Sequence, residues 1–102
     1  MSAVTLLSQA MKNEERKLAV WQKGRIVLGW DPAVYRQDEF GWWICYSDYG
    51  NRDAEYGWEI DHIVPTSQGG ADTISNLRPL HWRNNATLGG LFGLGRTILT
   101  GK

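Results

Sequence analysis

Asp61 and His62 stand side by side, Asn76 follows the histidine by 14 residues and Asn85 by 23. Few side chains are needed to hydrolyse a phosphodiester with the help of a metal. A carboxylate such as Asp61 is a hard anionic oxygen ligand, and the carbonyl of an asparagine such as Asn85 is a hard neutral one. Two such ligands suit Mg²⁺, which keeps several waters and takes phosphate oxygens from its substrate. Mn²⁺ shares the preference for oxygen and should substitute. A neutral histidine titrates near pH 6.5 and can accept a proton from water. His62 sits on the apolar run Trp58-Glu59-Ile60-Asp61-His62-Ile63-Val64-Pro65, which reads as a strand ended by proline. In a regular strand, neighbours point to opposite faces. Asp61 and His62 can therefore serve one site only if the chain bends or twists there.

The whole segment resembles the HNH endonuclease family and its ββα-metal motif. The resemblance rests on Asp61-His62 with Ile63-Val64-Pro65, Ser67, Gly69-Gly70 and Asp72, then Ser75-Asn76-Leu77, then Asn85. It covers roughly residues 56 to 88, with a weaker likeness over 21 to 55. It implies an α+β fold with a β-hairpin and a helix around one cation. It also implies that His62 is the general base, that Asp61 and Asn85 are metal ligands, and that Asn76 bonds across the loop to orient the base. The implied reaction is in-line attack of water on DNA, nicking one strand to leave 5′-phosphate and 3′-hydroxyl ends.

Three positions depart from the family pattern. Many members carry a structural zinc on two Cys-x-x-Cys pairs. Here the second pair falls at His81 and Asn84, and only Cys45 remains upstream, so no structural zinc is expected and aromatic packing should replace it. Many members also place a lysine where this chain has Leu88. The glycines after residue 88 should shorten the helix that bears Asn85. Among the neighbours, Glu59 lies two residues before Asp61 and is a candidate supporting partner on the same face, against a solvated strand residue. His81 is a candidate third metal ligand, against a packing or capping role. Arg78 and Arg83 are candidate phosphate contacts, which position DNA without reading its sequence.

Composition sets the bounds. The chain has 102 residues and zero formal net charge, with one cysteine and six tryptophans. That length is one domain by the usual prior, here an HNH domain over 1–102 with its ββα core at 56–88. A single cysteine excludes an intrachain disulfide and is compatible with a cytoplasmic location. No apolar run has the roughly 18 residues a membrane span needs, and the N-terminus lacks a signal-peptide pattern. Zero net charge is not the mark of a strong electrostatic DNA binder. The charges are segregated, however: residues 53 to 75 carry five acids and no lysine or arginine, while 76 to 102 carry Arg78, Arg83, Arg96 and Lys102 and no acid. DNA is the expected partner, with a homodimer or a larger DNA-processing complex as further candidates, and cutting both strands would need a dimer or two visits. The alternative is an HNH scaffold of little activity that binds nucleic acid or protein.

These residues need elements to position them. The spacing of Leu6, Leu7, Ala10, Met11, Leu18 and Trp21 predicts an amphipathic helix over 3–22, capped by Ser2, with Lys12 to Lys17 as its solvated face. Residues 25–28 read as a strand ending at Gly29. Asp31-Pro32 reads as the start of a short helix through 35–38. Residues 42–46 read as a strand and 49–52 as a turn. Residues 58–64 and 77–80 should pair as an antiparallel hairpin, with a helix starting near His81. The stretch 91–95 is apolar and glycine-rich, and fits no element.

Overall fold

The computed structural model describes residues 2–93; the end of the apolar stretch lies outside them. Helix α1 spans Ala3–Trp21, and the Ser2 hydroxyl caps it by accepting from the Thr5 N–H. Strands β1 (Tyr35–Gln37) and β2 (Trp43–Cys45) form one antiparallel pair. Strands β3 (Trp58–His62) and β4 (Leu77–His81) form a second, with Asp61 opposite Arg78 and His62 opposite Leu77. Helix α2 (Trp82–Gly93) follows β4 directly. Two helices and two small antiparallel sheets make the expected α+β arrangement. Among the described residues, no helix is long and apolar enough to cross a membrane.

The core lies where the end of α1 meets the two hairpins. Val20 and Trp21 pack with Ile44, Trp58 and Leu77, and Tyr46 and Ile60 close the edge. Large rings give a small domain much buried area per residue, and these rings also satisfy their polar atoms. Trp21 donates its indole N–H to the Pro32 carbonyl at 2.9 Å, and Trp58 donates to Tyr46 at 3.2 Å. Lys23 donates to the carbonyls of Ile74 and Leu77, tying the exit of α1 to the start of β4.

Several sequence expectations fail here for identifiable reasons. The apolar stripe of α1 is not buried: Leu6, Leu7, Met11 and Leu18 are exposed. Nineteen residues of helix run roughly 28 Å at 1.5 Å per residue, and only its last turn reaches the core. Lys12 to Glu15 of the expected solvated face are exposed, but that face also meets the body. Glu14 accepts from the Tyr46 hydroxyl, and Lys17 lies 4.9 Å from the centre of that ring. Residues 25–28 contribute only a single bridge from Arg25 to Gln37 and leave Leu28 exposed. Asp31 caps a turn rather than a helix, its carboxylate accepting from the Ala33 N–H, and the chain enters β1 at Tyr35. Strand β3 stops at His62, two residues short of the expected end. Helix α2 runs through Gly89 and Gly90 to Gly93 instead of being shortened by them. Leu88, in place of a lysine, is buried.

Where the family's second cysteine pair would fall, a buried carboxylate does the joining. Asp38 is fully buried, and its two oxygens accept four hydrogen bonds. Two come from the Phe40 and Trp42 N–H groups, one from the His81 N–H and one from the Asn84 amide. The loop between β1 and β2 is thereby fixed to the β4–α2 junction. The aromatic packing expected there is present as well, with the Trp42 and Trp82 rings 4.8 and 5.8 Å from the His81 ring.

Candidate active site

His62 is the last residue of β3, where the ladder gives way to the loop. At that end of the hairpin Asp61 and His62 border the same cleft despite being consecutive, and Asn85 borders it from α2. The cleft measures about 500 Å³, and Pro65, Thr66 and Gln68 complete its rim.

Each of the three site groups has one polar atom fixed and another without a hydrogen-bond partner among the described residues. The Asp61 Oδ2 accepts from the Arg78 Nε at 2.9 Å, leaving Oδ1. Burial raises the Asp61 pKa, against the lowering effect of Arg78 and His62. The Asn85 amide donates to Glu59 Oε1 at 2.7 Å, leaving its carbonyl oxygen. Glu59 is in turn gripped by both ends of the Arg52 fork, at 2.6 and 2.8 Å, and this ion pair holds its pKa below the usual carboxylate range despite partial burial. The His62 Nε2 lies 2.9 Å from Asp72 Oδ1. A neutral His62 donating there carries its lone pair on Nδ1.

The loop that brings Asp72 to His62 is fastened by Asn76. Its amide donates to the carbonyls of Val64 and Ala71 at 3.0 and 2.8 Å, and its oxygen accepts from the Val64 N–H at 2.9 Å. One side chain thus clamps the residues just after His62 to the residue just before Asp72. Glycine makes this path open: Gly69 has φ of +86°, and a Cβ on Gly70 would sit 1.7 Å from the Val64 carbonyl oxygen. From α1, Arg16 donates to the same Asp72 oxygen at 2.8 Å. The His62 hydrogen bond, and then Arg16, hold the Asp72 pKa below its usual value.

Of the remaining sequence candidates, Arg78 touches the site and His81 lies away from it. Arg78 is occupied by Asp61 and by Glu39, the latter at 2.9 Å, and these partners outweigh burial to keep its pKa above the usual value. His81 is 3% exposed and borders a different cleft, with Trp42, Glu55 and Arg83. Its Nδ1 accepts from the Arg83 N–H and its Nε2 meets the Glu55 carbonyl at 2.6 Å, so both nitrogens are engaged. Asp72, Arg16 and Arg52 escaped selection from the sequence as site residues. Asp72 had a signal, since it is part of the loop pattern; Arg16 and Arg52 had none, because only the fold brings them to Asp72 and Glu59.

A β-hairpin followed by a helix, with Asp-His at the loop end and Asn on the helix, defines a ββα arrangement. Residues 45–89 match the family model described as HNH endonuclease, from the end of β2 into α2. The match covers 45 of the chain's 102 residues, and over that segment the chain is similar to an HNH endonuclease. No curated protein and no solved structure matches the chain.

The donor set fits the divalent cation that HNH nucleases generally use. Asp61 Oδ1 and the Asn85 carbonyl are hard oxygens bordering one cleft. No cluster of three or more His, Cys, Asp or Glu side chains suited to a metal occurs among the described residues. A two-ligand site of this kind suits Mg²⁺, with waters and substrate filling its shell.

Proposed function

We propose that this HNH domain is a metal-dependent DNA nickase with His62 as general base. The observation that carries the reading is the convergence of Asp61, His62 and Asn85 on one cleft, each anchored by one atom and open at another. His62 takes a proton from water at Nδ1, and the Asp72 carboxylate at Nε2 stabilises the imidazolium that results. Arg16 and Asn76 keep that carboxylate in place. Asp61 and Asn85 would hold Mg²⁺, or Mn²⁺ in its stead, with Glu59 orienting Asn85. When bound, the cation polarises the scissile phosphate and neutralises the leaving oxygen. Arg83, exposed on α2 and without an ion-pair partner among the described residues, is the better placed of the two arginines for a phosphate. Because Arg16 lies on α1, the N-terminal helix and the hairpin act as one unit. One such centre cuts one strand per event, giving 5′-phosphate and 3′-hydroxyl ends, and a double-strand cut would take two copies.

A DNA-binding HNH scaffold of low activity is the second reading. It is favoured by Arg78, whose guanidinium already occupies one oxygen of Asp61. Relaxation of supercoiled plasmid decides between them. Mg²⁺- or Mn²⁺-dependent nicking that EDTA abolishes and His62→Ala loses supports the nickase. A folded wild-type protein that nicks with neither metal overturns it.

A further inference from the structure

A group of aromatic side chains outside the catalytic cleft has no part in the chemistry above. Trp30, Tyr35, Trp43 and Tyr56 surround a hollow of about 190 Å³. Trp30 is 52% exposed and Tyr56 38%. Large rings left in water on a small domain are unusual enough to ask for a ligand.

The ring geometry narrows the ligand. Trp30 meets Tyr35 at 5.5 Å and Trp43 at 5.2 Å, with interplanar angles of 82° and 73°. Tyr35 meets Tyr56 at 6.2 Å and 90°. These are edge-to-face contacts between touching rings, so no parallel pair is spaced to hold a guest between its faces. No carboxylate lines the hollow to favour a cation. What remains is an open dish of ring surface, suited to a flat group with its own π face. Trp43 and Tyr56 also border the neighbouring cleft, of about 320 Å³, which contains Arg83. The Arg83 guanidinium lies 5.0 Å from the Trp82 ring centre, and no ion pair among the described residues involves it. Glu55 borders that cleft too, but no ion pair among the described residues ties it to Arg83. Aromatic rings beside an arginine in no ion pair are the elements that bind single-stranded nucleic acid, by stacking bases and pairing with the backbone.

We infer that the Trp30–Tyr56 dish is a subsite for an unpaired DNA base, with Arg83 on an adjacent phosphate. Bases inside a duplex have both faces covered, so the dish selects single-stranded or locally opened DNA. This rests on the nuclease reading for its choice of DNA, and it deepens that reading by naming the substrate form.

The test is fluorescence anisotropy in EDTA, where no cutting occurs, with three labelled probes of equal length: an oligothymidylate, a duplex and an abasic strand. The wild type should bind oligothymidylate tightest. Trp30→Ala and Tyr56→Ala should each weaken that binding on the order of tenfold, the effect of losing one stacked base, and leave abasic binding unchanged. Trp30→Phe should retain most of the affinity. Arg83→Gln should weaken all three probes and flatten their salt dependence. Equal binding of the abasic strand overturns the inference, as does wild-type affinity in folded Tyr56→Ala or Trp30→Phe weakened as far as Trp30→Ala. If folded Trp30→Ala instead changes the sedimentation of the protein and not its DNA binding, the dish faces a second copy and the inference falls. Plasmid nicking measured alongside separates the two readings. Nicking without base-dependent binding removes the dish and leaves the nuclease; base-dependent binding without nicking does the reverse.

Discussion

At the loop end of the β3–β4 hairpin, His62 has one ring nitrogen on Asp72 and the other, beside a cleft, without a partner among the described residues. At the α2 end, His81 has both nitrogens engaged and is almost fully buried. The carboxylates at the two ends differ in the same way. Asp61 is held through one oxygen, whereas Asp38 accepts four hydrogen bonds and has no exposure. A polar group whose atoms are all satisfied inside the protein can hold structure but has nothing to offer a substrate. A group with one anchored atom and one open atom is oriented and still reactive. In the proposed reading, that contrast puts chemistry at the loop end and cohesion at the other.

Exchanging the roles of the two histidines would break the contrast most sharply. His62→Ala should lower the nicking rate roughly 100- to 10,000-fold, the usual worth of a general base, while the melting temperature stays near wild type. His81→Ala should do the opposite, lowering the melting temperature with a smaller effect on rate per folded molecule. Comparable rate losses in the two folded variants would erase the distinction.

Next in size is Asp38→Ala. It strands the Asn84 amide and three backbone N–H groups in the interior, and should cost about 3 kcal/mol or more. For a domain of this size that lowers the melting temperature on the order of 15 °C, readable by circular dichroism. A shift of only a degree or two would mean that Asp38 is not the joint at this end.

Glu59→Ala tests the anchored half of the proposed metal site. Without Glu59 the Asn85 amide loses its partner, and the Mg²⁺ concentration for half-maximal nicking should rise roughly 10- to 100-fold. The rate at saturating Mg²⁺ should change much less. An unchanged Mg²⁺ requirement would take Asn85, or its orientation, out of the metal site.

The smallest effect lies away from both ends, where α1 meets Tyr46. Burial, and then the Glu14 hydrogen bond, raise the Tyr46 pKa from 10.0 to about 12. A group whose acidity is weakened by folding stabilises the fold while protonated. That contribution is complete below pH 10 and disappears as pH rises through about 12. Glu14 behaves conversely: its pKa is lowered, first by the Tyr46 hydrogen bond, so its contribution is present above 4.5 and fades as pH falls through the lower folded value. Tyr46→Phe should flatten the melting temperature against pH at both extremes. A profile identical to wild type would show that this contact does not hold α1.

The hairpin was legible because its evidence is local. Alternation of apolar residues and the glycine-rich loop each act within a few residues, so the strands read at 58–64 and 77–80 formed at 58–62 and 77–81, the first stopping ahead of Pro65. In the N-terminal third the helix and its Ser2 cap formed as read, but the burial of its apolar face and the elements at 25–38 were misread because those signals depend on a partner. Periodicity in α1 marks a face but not whether the body extends far enough to cover it, and here only Val20 and Trp21 are buried. The Asp31-Pro32 signal is equally a turn, and pairing with β2 drew residues 35–37 into a strand.

From the sequence alone came the Asp61, His62, Asn76 and Asn85 set, its β-hairpin and helix, and the chemistry such side chains support. The identity of a side chain fixes which protons and lone pairs it has, and local spacing fixes the element that carries it. Tertiary structure decided which of those atoms stay open. It brought Arg16 across 56 residues to Asp72, closed both nitrogens of His81, and turned Arg78 onto Asp61. It also gathered four aromatic residues from separate segments into one dish. Availability for chemistry depends on neighbours in space, and those are set only when the chain folds.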